Sequence, residues 1–232
     1  FCKNIITVIN NAATALKLTL KDVKIDVSDT GKYDRWNGEK GKAALSVQGE
    51  GNVEIELDGK NELKSGAYRA GLEKNTSEGT LTLKDDKKDD NKKAGSLTAT
   101  GGYNGAGIGG GTTGSGSNVT VSGAAQVTTI AGKSYGSYGA GATIGNGGNR
   151  TEAEYGFTCI DGKEIQADIS HLTTGYIHHI IYNPDLDSDG KPDGILKEWW
   201  EFALPKPIPD GESLDLHVET LKGAPLLFNT RQ

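Results

Sequence analysis

The same glycine-rich phrase occurs twice in this chain, as GGYNGAGIGGG at 101–111 and as GSYGAGATIGNGG at 136–148. Fainter versions of it lie upstream, as AALSVQ at 43–48 and AGLEKN at 70–75. Self-similarity at a spacing of roughly 20–50 residues is typical of stacked repeats. The phrase therefore constrains the architecture first, and the function only through the architecture.

Each copy of the phrase has one apolar residue at its centre. These residues are Leu45, Leu72, Ile108 and Ile144, so successive copies are 27, 36 and 36 residues apart. If every copy forms the same corner of a coil, the four side chains point inward and stack as an aliphatic ladder. Glycine at such a corner permits positive φ and lets neighbouring coils approach to the strand spacing of about 4.8 Å.

Short segments of alternating apolar and polar residues lie between the glycine phrases. They occur at 16–27, 52–57, 80–83, 96–100 and 118–121. Period-two alternation rich in Val, Ile, Leu and Thr predicts half-buried strands. A β-sandwich would show strands of more even length and no recurring phrase. We therefore expect an all-β chain built as a parallel β-helix.

The composition fits a narrow core and argues against two kinds of partner. The 34 glycines among 232 residues are about twice the usual share of ~7%, but they lack the every-third-residue period of collagen. The net charge of -6, without a basic stripe, argues against binding to nucleic acid. No apolar run reaches the ~20 residues of a membrane-spanning helix, so we expect no membrane span.

The composition changes after Tyr155, where glycine becomes rare and aromatic residues and prolines appear. We predict two parts, a parallel β-helix over 1–156 and a C-terminal cap or small β-rich segment over 157–232. A cap is expected because the last coil of a solenoid otherwise leaves open strand edges.

Three segments of the second part carry a secondary-structure signal. YIHHIIY at 176–182 predicts a buried strand, and SLDLHVE at 213–219 predicts a clean alternating strand. ILKEWWEF at 195–202 fits either a short helix or a strand. Cys2 and Cys159 form either one disulfide, which is plausible outside the cytosol, or two free thiols.

Four segments between residues 57 and 123 follow one another in the order found in a known family. They are LDGKNEL at 57–63, GSLTATGG at 95–102, GAGIGGG at 105–111 and NVTVSG at 118–123. In this order they resemble secreted or surface-attached β-helix proteins of Gram-positive bacteria that bind carbohydrate. The resemblance implies a right-handed parallel β-helix, a secreted or cell-surface location, involvement of calcium, and a polysaccharide or cell-surface glycan as partner. It assigns no binding residue, because the glycine phrases are corners.

A cluster of carboxylates near the C-terminus predicts a calcium site. Its ligands would be Asp185, Asp187, Asp189, Asp193 and the backbone carbonyl of Lys191. Alternate side chains of such a loop converge on one hard cation, and Gly190 permits the sharp turn. The segment resembles the DxDxDG calcium loops of thrombospondin-type repeats, with Leu196 where an EF-hand has its bidentate Glu. The alternative is a polar turn, since Asp, Ser, Gly and Pro are ordinary turn residues.

Aromatic side chains are the predicted contacts with sugar, because the apolar face of a pyranose stacks on an aromatic ring. The candidates are Tyr103, Tyr135, Tyr138 and Trp36. The three tyrosines lie beside glycine corners, where they would line up along one edge of the solenoid. The alternative is that these rings pack under loops.

Three functions fit these features. The first is a carbohydrate-binding or adhesive surface module that displays a rigid glycan-binding face. The second is a calcium-dependent polysaccharide lyase, with Lys191 beside the Asp cluster as its candidate base. The third is a structural stalk or protein-binding adhesin, with a host or cell-wall protein as partner. We favour the first, because the Asn-Thr-Asp and Gly-His-Gly elements of pectin-cleaving hydrolases are absent.

Overall fold

The computed structural model describes residues 1–32, 38–75, 78–86, 93–183 and 194–203. Within these ranges the chain has seventeen strands and no helix, and so no helix that could cross a membrane. In chain order the strands are β1 (Ile6–Ile9), β2 (Leu16–Lys21), β3 (Lys24–Asp26), β4 (Leu45–Gln48), β5 (Val53–Asp58), β6 (Lys60–Lys64), β7 (Leu72–Glu73), β8 (Leu81–Asp85), β9 (Ser96–Thr100), β10 (Ile108–Gly109), β11 (Val119–Gly123), β12 (Gln126–Ile130), β13 (Ile144–Gly145), β14 (Asn149–Ala153), β15 (Gly156–Ile160), β16 (Tyr176–Tyr182) and β17 (Ile195–Glu201).

Successive strands of the chain join three sheets in turn. The β1 sheet has the order β1-β4-β7-β10-β13, the β2 sheet β2-β5-β8-β11, and the β3 sheet β3-β6-β9-β12-β16-β17. Up to β13, every third strand joins the same sheet and runs parallel to the strand before it. This topology confirms an all-β chain with parallel sheets and is compatible with a parallel β-helix. None of these sheets closes on itself in the described ranges.

The β1 sheet pairs the four repeat centres in register. Leu45 lies opposite Leu72, Leu72 opposite Ile108, and Ile108 opposite Ile144. All four side chains are fully buried. The aliphatic ladder predicted from the repeat spacing is therefore confirmed, and Ile6 extends it by one strand.

The glycines that follow Ile108 and Ile144 lie where two strands approach very closely. Gly109 and Gly145 are paired neighbours with φ of 128° and 143°. A Cβ on Gly109 would lie 2.2 Å from the carbonyl oxygen of Gly145. Glycine is therefore required there both by the backbone conformation and by the lack of space.

The β2 sheet shows how alternation builds the core. In β5, Val53, Ile55 and Leu57 are fully buried, whereas Glu54 and Glu56 between them are half-buried on the outer face. Burying an aliphatic side chain of this size contributes about 1.5–3 kcal/mol. The inward rows of the three sheets form one core cluster that extends from Val8 to Ile177.

The last described residues extend the β3 sheet. β16 pairs parallel with β12, and β17 pairs antiparallel with β16, with a register shift between Ile181 and Tyr182. The segment predicted as a helix or a strand is therefore a strand, and the strand predicted at 176–182 is confirmed. The strand predicted at 213–219 lies outside the described residues.

β14 and β15 form an antiparallel hairpin of their own, and most of its residues are exposed. The boundary predicted between residues 156 and 157 falls in this hairpin, and the division into two parts stays a prediction. Cys159 lies on β15, whereas Cys2 bridges to Ile25 at the opposite end of the strand stack. Both thiols are free and exposed.

Candidate functional site

Of the three tyrosines expected to contact sugar, two have rings in contact and the third shares a turn with one of them. The ring centroids of Tyr103 and Tyr135 are 5.2 Å apart. The backbone N–H of Tyr138 donates to the carbonyl oxygen of Tyr135 at 3.3 Å, so the third ring belongs to the same turn. Tyr135 is exposed, Tyr103 is half-buried and Tyr138 is half-buried as well. Trp36, the fourth candidate, lies outside the described residues.

One buried asparagine holds the turn that carries two of these rings. Asn104 has φ of 64° and is fully buried. Its Nδ2 donates to the carbonyl oxygens of Tyr138 at 3.0 Å and Gly139 at 2.8 Å, and it also approaches that of Tyr135 at 3.3 Å. Asparagine tolerates a left-handed backbone better than most residues, and this side chain fixes a turn one repeat away.

An arginine on the β14–β15 hairpin joins the tyrosines. The guanidinium carbon of Arg150 lies 4.6 Å from the ring centroid of Tyr138 and 4.1 Å from that of Phe157. A guanidinium nitrogen of Arg150 also donates to Ser137 Oγ at 2.8 Å. These contacts orient the guanidinium, because cation–π attraction and a hydrogen bond act on it together.

We call Tyr103, Tyr135, Tyr138, Arg150 and Phe157 the tyrosine edge. It combines aromatic faces, which can stack on the apolar face of a sugar ring, with a planar donor that can bind a carboxylate or hydroxyl groups. Sequence reasoning missed Arg150 and Phe157. The signal available was the turn around Tyr155 between two five-residue segments, NRTEA at 149–153 and GFTCI at 156–160, which form the hairpin.

A second polar cluster, called the Thr143 network, lies beside the ladder, with Thr143 and His179 buried and Glu164 exposed. Glu164 accepts the backbone N–H of Thr143 at 2.6 Å and that of Ile144 at 3.1 Å. The hydroxyl of Thr143 lies 2.8 Å from Glu164 Oε2 and 2.6 Å from His179 Nδ1. Nε2 of His179 is 3.1 Å from Glu201 Oε1, an ion-pair distance without hydrogen-bond geometry. The network therefore links β13, β16 and β17.

The two adjacent histidines of β16 face opposite sides of the strand, because successive side chains of a strand alternate between its faces. His179 stacks on Trp199 with ring centroids 4.4 Å apart, and His178 stacks on Trp200 at 3.7 Å. His178 Nε2 also lies 2.7 Å from Glu198 Oε2. Each face of the β16–β17 pair thus has a stacked histidine and tryptophan. Ring stacking on both faces holds β17 against β16, which is a structural role.

A third cluster surrounds the carboxyl of Glu73, which is 3% exposed. The carboxylate accepts hydrogen bonds from the backbone N–H of Ala70 at 3.1 Å and from Asn75 Nδ2 at 3.0 Å, and it pairs with the Arg69 guanidinium at 2.9 Å. Burial raises the pKa of Glu73 above its ordinary value, although Arg69 and these hydrogen bonds act to lower it.

The predicted calcium ligands Asp185, Asp187, Asp189, Lys191 and Asp193 lie outside the described residues. The structure does define the ends of their segment, because it connects β16 to β17. The backbone N–H of Asn183 donates to the carbonyl oxygen of Gly194 at 2.9 Å. Elsewhere, among the residues that the structure describes, no group of three or more His, Cys, Asp or Glu side chains could hold a metal ion.

Comparison of the chain with protein-family models, with curated proteins and with solved structures finds no match.

Proposed function

We propose that this chain is a right-handed parallel β-helix that binds polysaccharide or a cell-surface glycan at the tyrosine edge. The strand order supports the β-helix, because three parallel sheets each take every third strand. Crossover connections between parallel strands of one sheet are almost always right-handed, which favours the right-handed form of the β-helix. A rigid stack of this kind would hold weak sugar contacts at fixed spacing, so that they sum along a polymer.

The observation that carries the glycan proposal is the contact between the rings of Tyr103 and Tyr135, on the turn whose other tyrosine, Tyr138, lies against Arg150. Isolated exposed rings are ordinary on protein surfaces, but a set fixed by a buried asparagine and an oriented guanidinium is a preorganised surface. The guanidinium favours sugars that carry a carboxylate, because it can donate two parallel hydrogen bonds to one.

Calcium is the second part of the proposal. The segment of the chain that carries Asp185, Asp187, Asp189 and Asp193 connects two antiparallel strands, and a hydrogen bond from Asn183 to Gly194 joins its ends. A segment closed at both ends loses less entropy when it binds a cation than a free one does. We propose that calcium is structural there, and that the protein is secreted or on the cell surface, as the family resemblance implies.

The experiment is retention on pectin, on cellulose and on a glycan array, in calcium and again in chelator. Tyr135→Ala and Arg150→Ala should each weaken retention about tenfold, since aromatic and cation contacts of this kind contribute about 1 kcal/mol or more. Phe1→Ala is the matched control, because Phe1 is an exposed aromatic residue outside the tyrosine edge. Unchanged retention in both tyrosine-edge variants would place the glycan elsewhere.

The same assay separates the alternatives. Retention of intact glycan supports the binding module, whereas unsaturated products that absorb in the ultraviolet indicate a lyase. Retention that survives the chelator makes calcium dispensable for binding. Retention on no glycan at all would leave a stalk, or an adhesin whose partner is a host or cell-wall protein.

A further inference from the structure

The outer edge of β2 is an open strand edge. In the described residues β2 has one neighbour, β5, and ends the β2 sheet. The adjacent β3 is different, because the start of the chain lies along it: Cys2 N donates to the carbonyl oxygen of Lys24 at 2.7 Å. Open edges are sites where another strand can add.

Backbone donors point out of this edge. The amides of Leu16 and Asp22 donate toward β5, to the carbonyl oxygens of Asn52 at 2.9 Å and Asp58 at 3.1 Å. Alternate residues of a parallel strand bond to the same neighbour. The amides of Lys17, Thr19 and Lys21 therefore face away from β5, toward the open side.

The inward row of β2 is also incompletely covered. Leu16 is 41% exposed and Leu20 is 3% exposed, whereas Val53 and Leu57, which pair with them on β5, are fully buried. An additional strand would cover Leu16 as β2 itself covers Val53. The missing burial identifies the kind of strand that fits, one with apolar residues at alternate positions.

Charge adds a second requirement. On β5, Glu54 lies 3.7 Å from Lys17 and Asp58 lies 3.6 Å from Lys21. Both lysine side chains remain 71% exposed, so they can also approach acidic groups on the open side. Opposite charges directly across a pair of strands stabilise the pairing.

One segment of this chain repeats the pattern of β5. Residues 52–58 read NVEIELD and residues 213–219 read SLDLHVE, so apolar residues alternate in both and acids occupy the third and seventh positions. Placed in the register of β5, Asp215 would lie opposite Lys17 and Glu219 opposite Lys21. The segment fits the edge of β17 less well, because Glu198 and Glu201 on that strand are also acidic.

The part of the chain between β17 and residue 213 is long enough to reach the open edge of β2. β17 lies five strand spacings from β3 in the β3 sheet, and a strand added outside β2, which precedes β3 in the same coil, lies one spacing further, so the span along the stack is about 29 Å. Ten residue steps separate 203 from 213, and Pro205, Pro207 and Pro209 favour an extended connection of about 31 Å. A tether that matches the span gives a high effective concentration, so the chain's own segment has the advantage over a second copy.

We propose that residues 213–219 of the same chain add to the open edge of β2 as a parallel strand, with Asp215 opposite Lys17 and Glu219 opposite Lys21. The chain thereby closes its N-terminal edge with its own C-terminal segment. This inference concerns the scaffold and does not depend on the proposed glycan function.

Hydrogen exchange of the full chain and of a chain ending at residue 203 tests the proposal. The amides of Lys17, Thr19 and Lys21 should exchange ~10-fold or more slowly in the full chain. Amides in the centre of the β3 sheet, in β9 and β12, should be equally protected in both chains, which shows that the shorter chain folds. Equal exchange at β2 in the two chains would overturn the proposal.

Two further measurements separate the register and the source of the strand. Asp215→Lys with Glu219→Lys should remove the protection of β2, whereas the control Asp210→Lys with Glu212→Lys, which makes the same charge change just outside the segment, should keep it. Protection unaffected by the first pair would overturn the register. Light scattering should give a monomer, and protection that appears only in a dimer would assign the edge to a second copy instead.

Discussion

The hydroxyl oxygen of Thr143 lies 2.6 Å from Nδ1 of His179, with both residues buried. The roles of donor and acceptor follow from Glu164, whose carboxylate only accepts. The hydroxyl of Thr143 donates to Glu164 and must accept from the imidazole, so Nδ1 of His179 bears a proton. One side chain thus connects the ladder strand β13 to β16.

Replacing this hydroxyl should lower the free energy of unfolding. Thr143→Val keeps the shape but leaves Glu164 Oε2 without this donor and His179 Nδ1 without an acceptor, so we expect unfolding free energy to fall by about 1–3 kcal/mol. Chemical denaturation measures the change. Thr98→Val, on the outer face of β9, is the control and should change stability by less than about 0.5 kcal/mol. Equal effects of the two substitutions would contradict the network.

Two reasons for glycine at the corner, the close approach of two coils and the strained backbone conformation, can be separated by their effects on stability. Gly109 and Gly156 have similar φ, 128° and 138°, but a Cβ on Gly109 would meet a carbonyl oxygen at 2.2 Å and one on Gly156 would meet nothing within 4 Å. Gly109→Ala should therefore cost about 1–3 kcal/mol more than Gly156→Ala. Denaturation of both variants provides the test. Equal costs would mean that strain alone requires glycine at this corner.

The stability contributed by Glu73 should depend on pH in an uncommon direction. Burial raises its pKa above 4.5, so the folded state holds the proton more tightly than the unfolded chain. Its contribution is then fully present below the ordinary pKa and is lost as pH rises through the raised pKa. Each tenfold tightening of proton binding in the folded state corresponds to about 1.4 kcal/mol of this contribution.

The measurement compares the unfolding free energy of the natural chain with that of Glu73→Gln from pH 4 to 7. The natural chain should lose stability relative to the variant as pH rises. Glu50→Gln, at an exposed position, should show no such trend. A relative gain with rising pH would instead mean that Arg69, 2.9 Å away, outweighs the cost of burying the charge.

The repeat could be predicted because the apolar residues that recur at a fixed spacing are also the residues buried in the core. The centres Leu72, Ile108 and Ile144 recur at the length of one circuit through the three sheets, so their pairing follows from their spacing. The segment at 195–202 was ambiguous, since eight residues with paired tryptophans fit either the helical or the strand period. Its strand conformation depends on pairing with β16, which local sequence does not encode.

The tyrosine edge was predictable only in part. Tyr103 and Tyr135 lie beside successive glycine corners, so stacking of coils brings them together. Arg150 and Phe157 lie on the β14–β15 hairpin, which is separate from the three main sheets. The placement of this hairpin depends on the contacts of Arg150 with Ser137 and Tyr138. No spacing in the sequence specifies such contacts.

The last prediction concerns the asparagine that fixes the tyrosine turn. Nδ2 of Asn104 faces three carbonyl oxygens, and its Oδ1 has no hydrogen-bond partner among the described residues, so the amide donor is the group in use. Asn104→Asp has nearly the same shape but places a carboxylate against those carbonyl oxygens. We expect a loss of about 1–3 kcal/mol in stability and weaker retention on any glycan that binds the natural chain.

The control makes the same chemical change where the side chain accepts a hydrogen bond. Asn52 is exposed, and its Oδ1 accepts the backbone N–H of Thr80 at 2.8 Å, a role that aspartate keeps. Asn52→Asp should therefore leave both stability and glycan retention nearly unchanged. If Asn104→Asp loses stability but retains glycan fully, the position of Tyr135 and Tyr138 does not determine binding. The sugar contacts would then have to be sought away from the tyrosine edge.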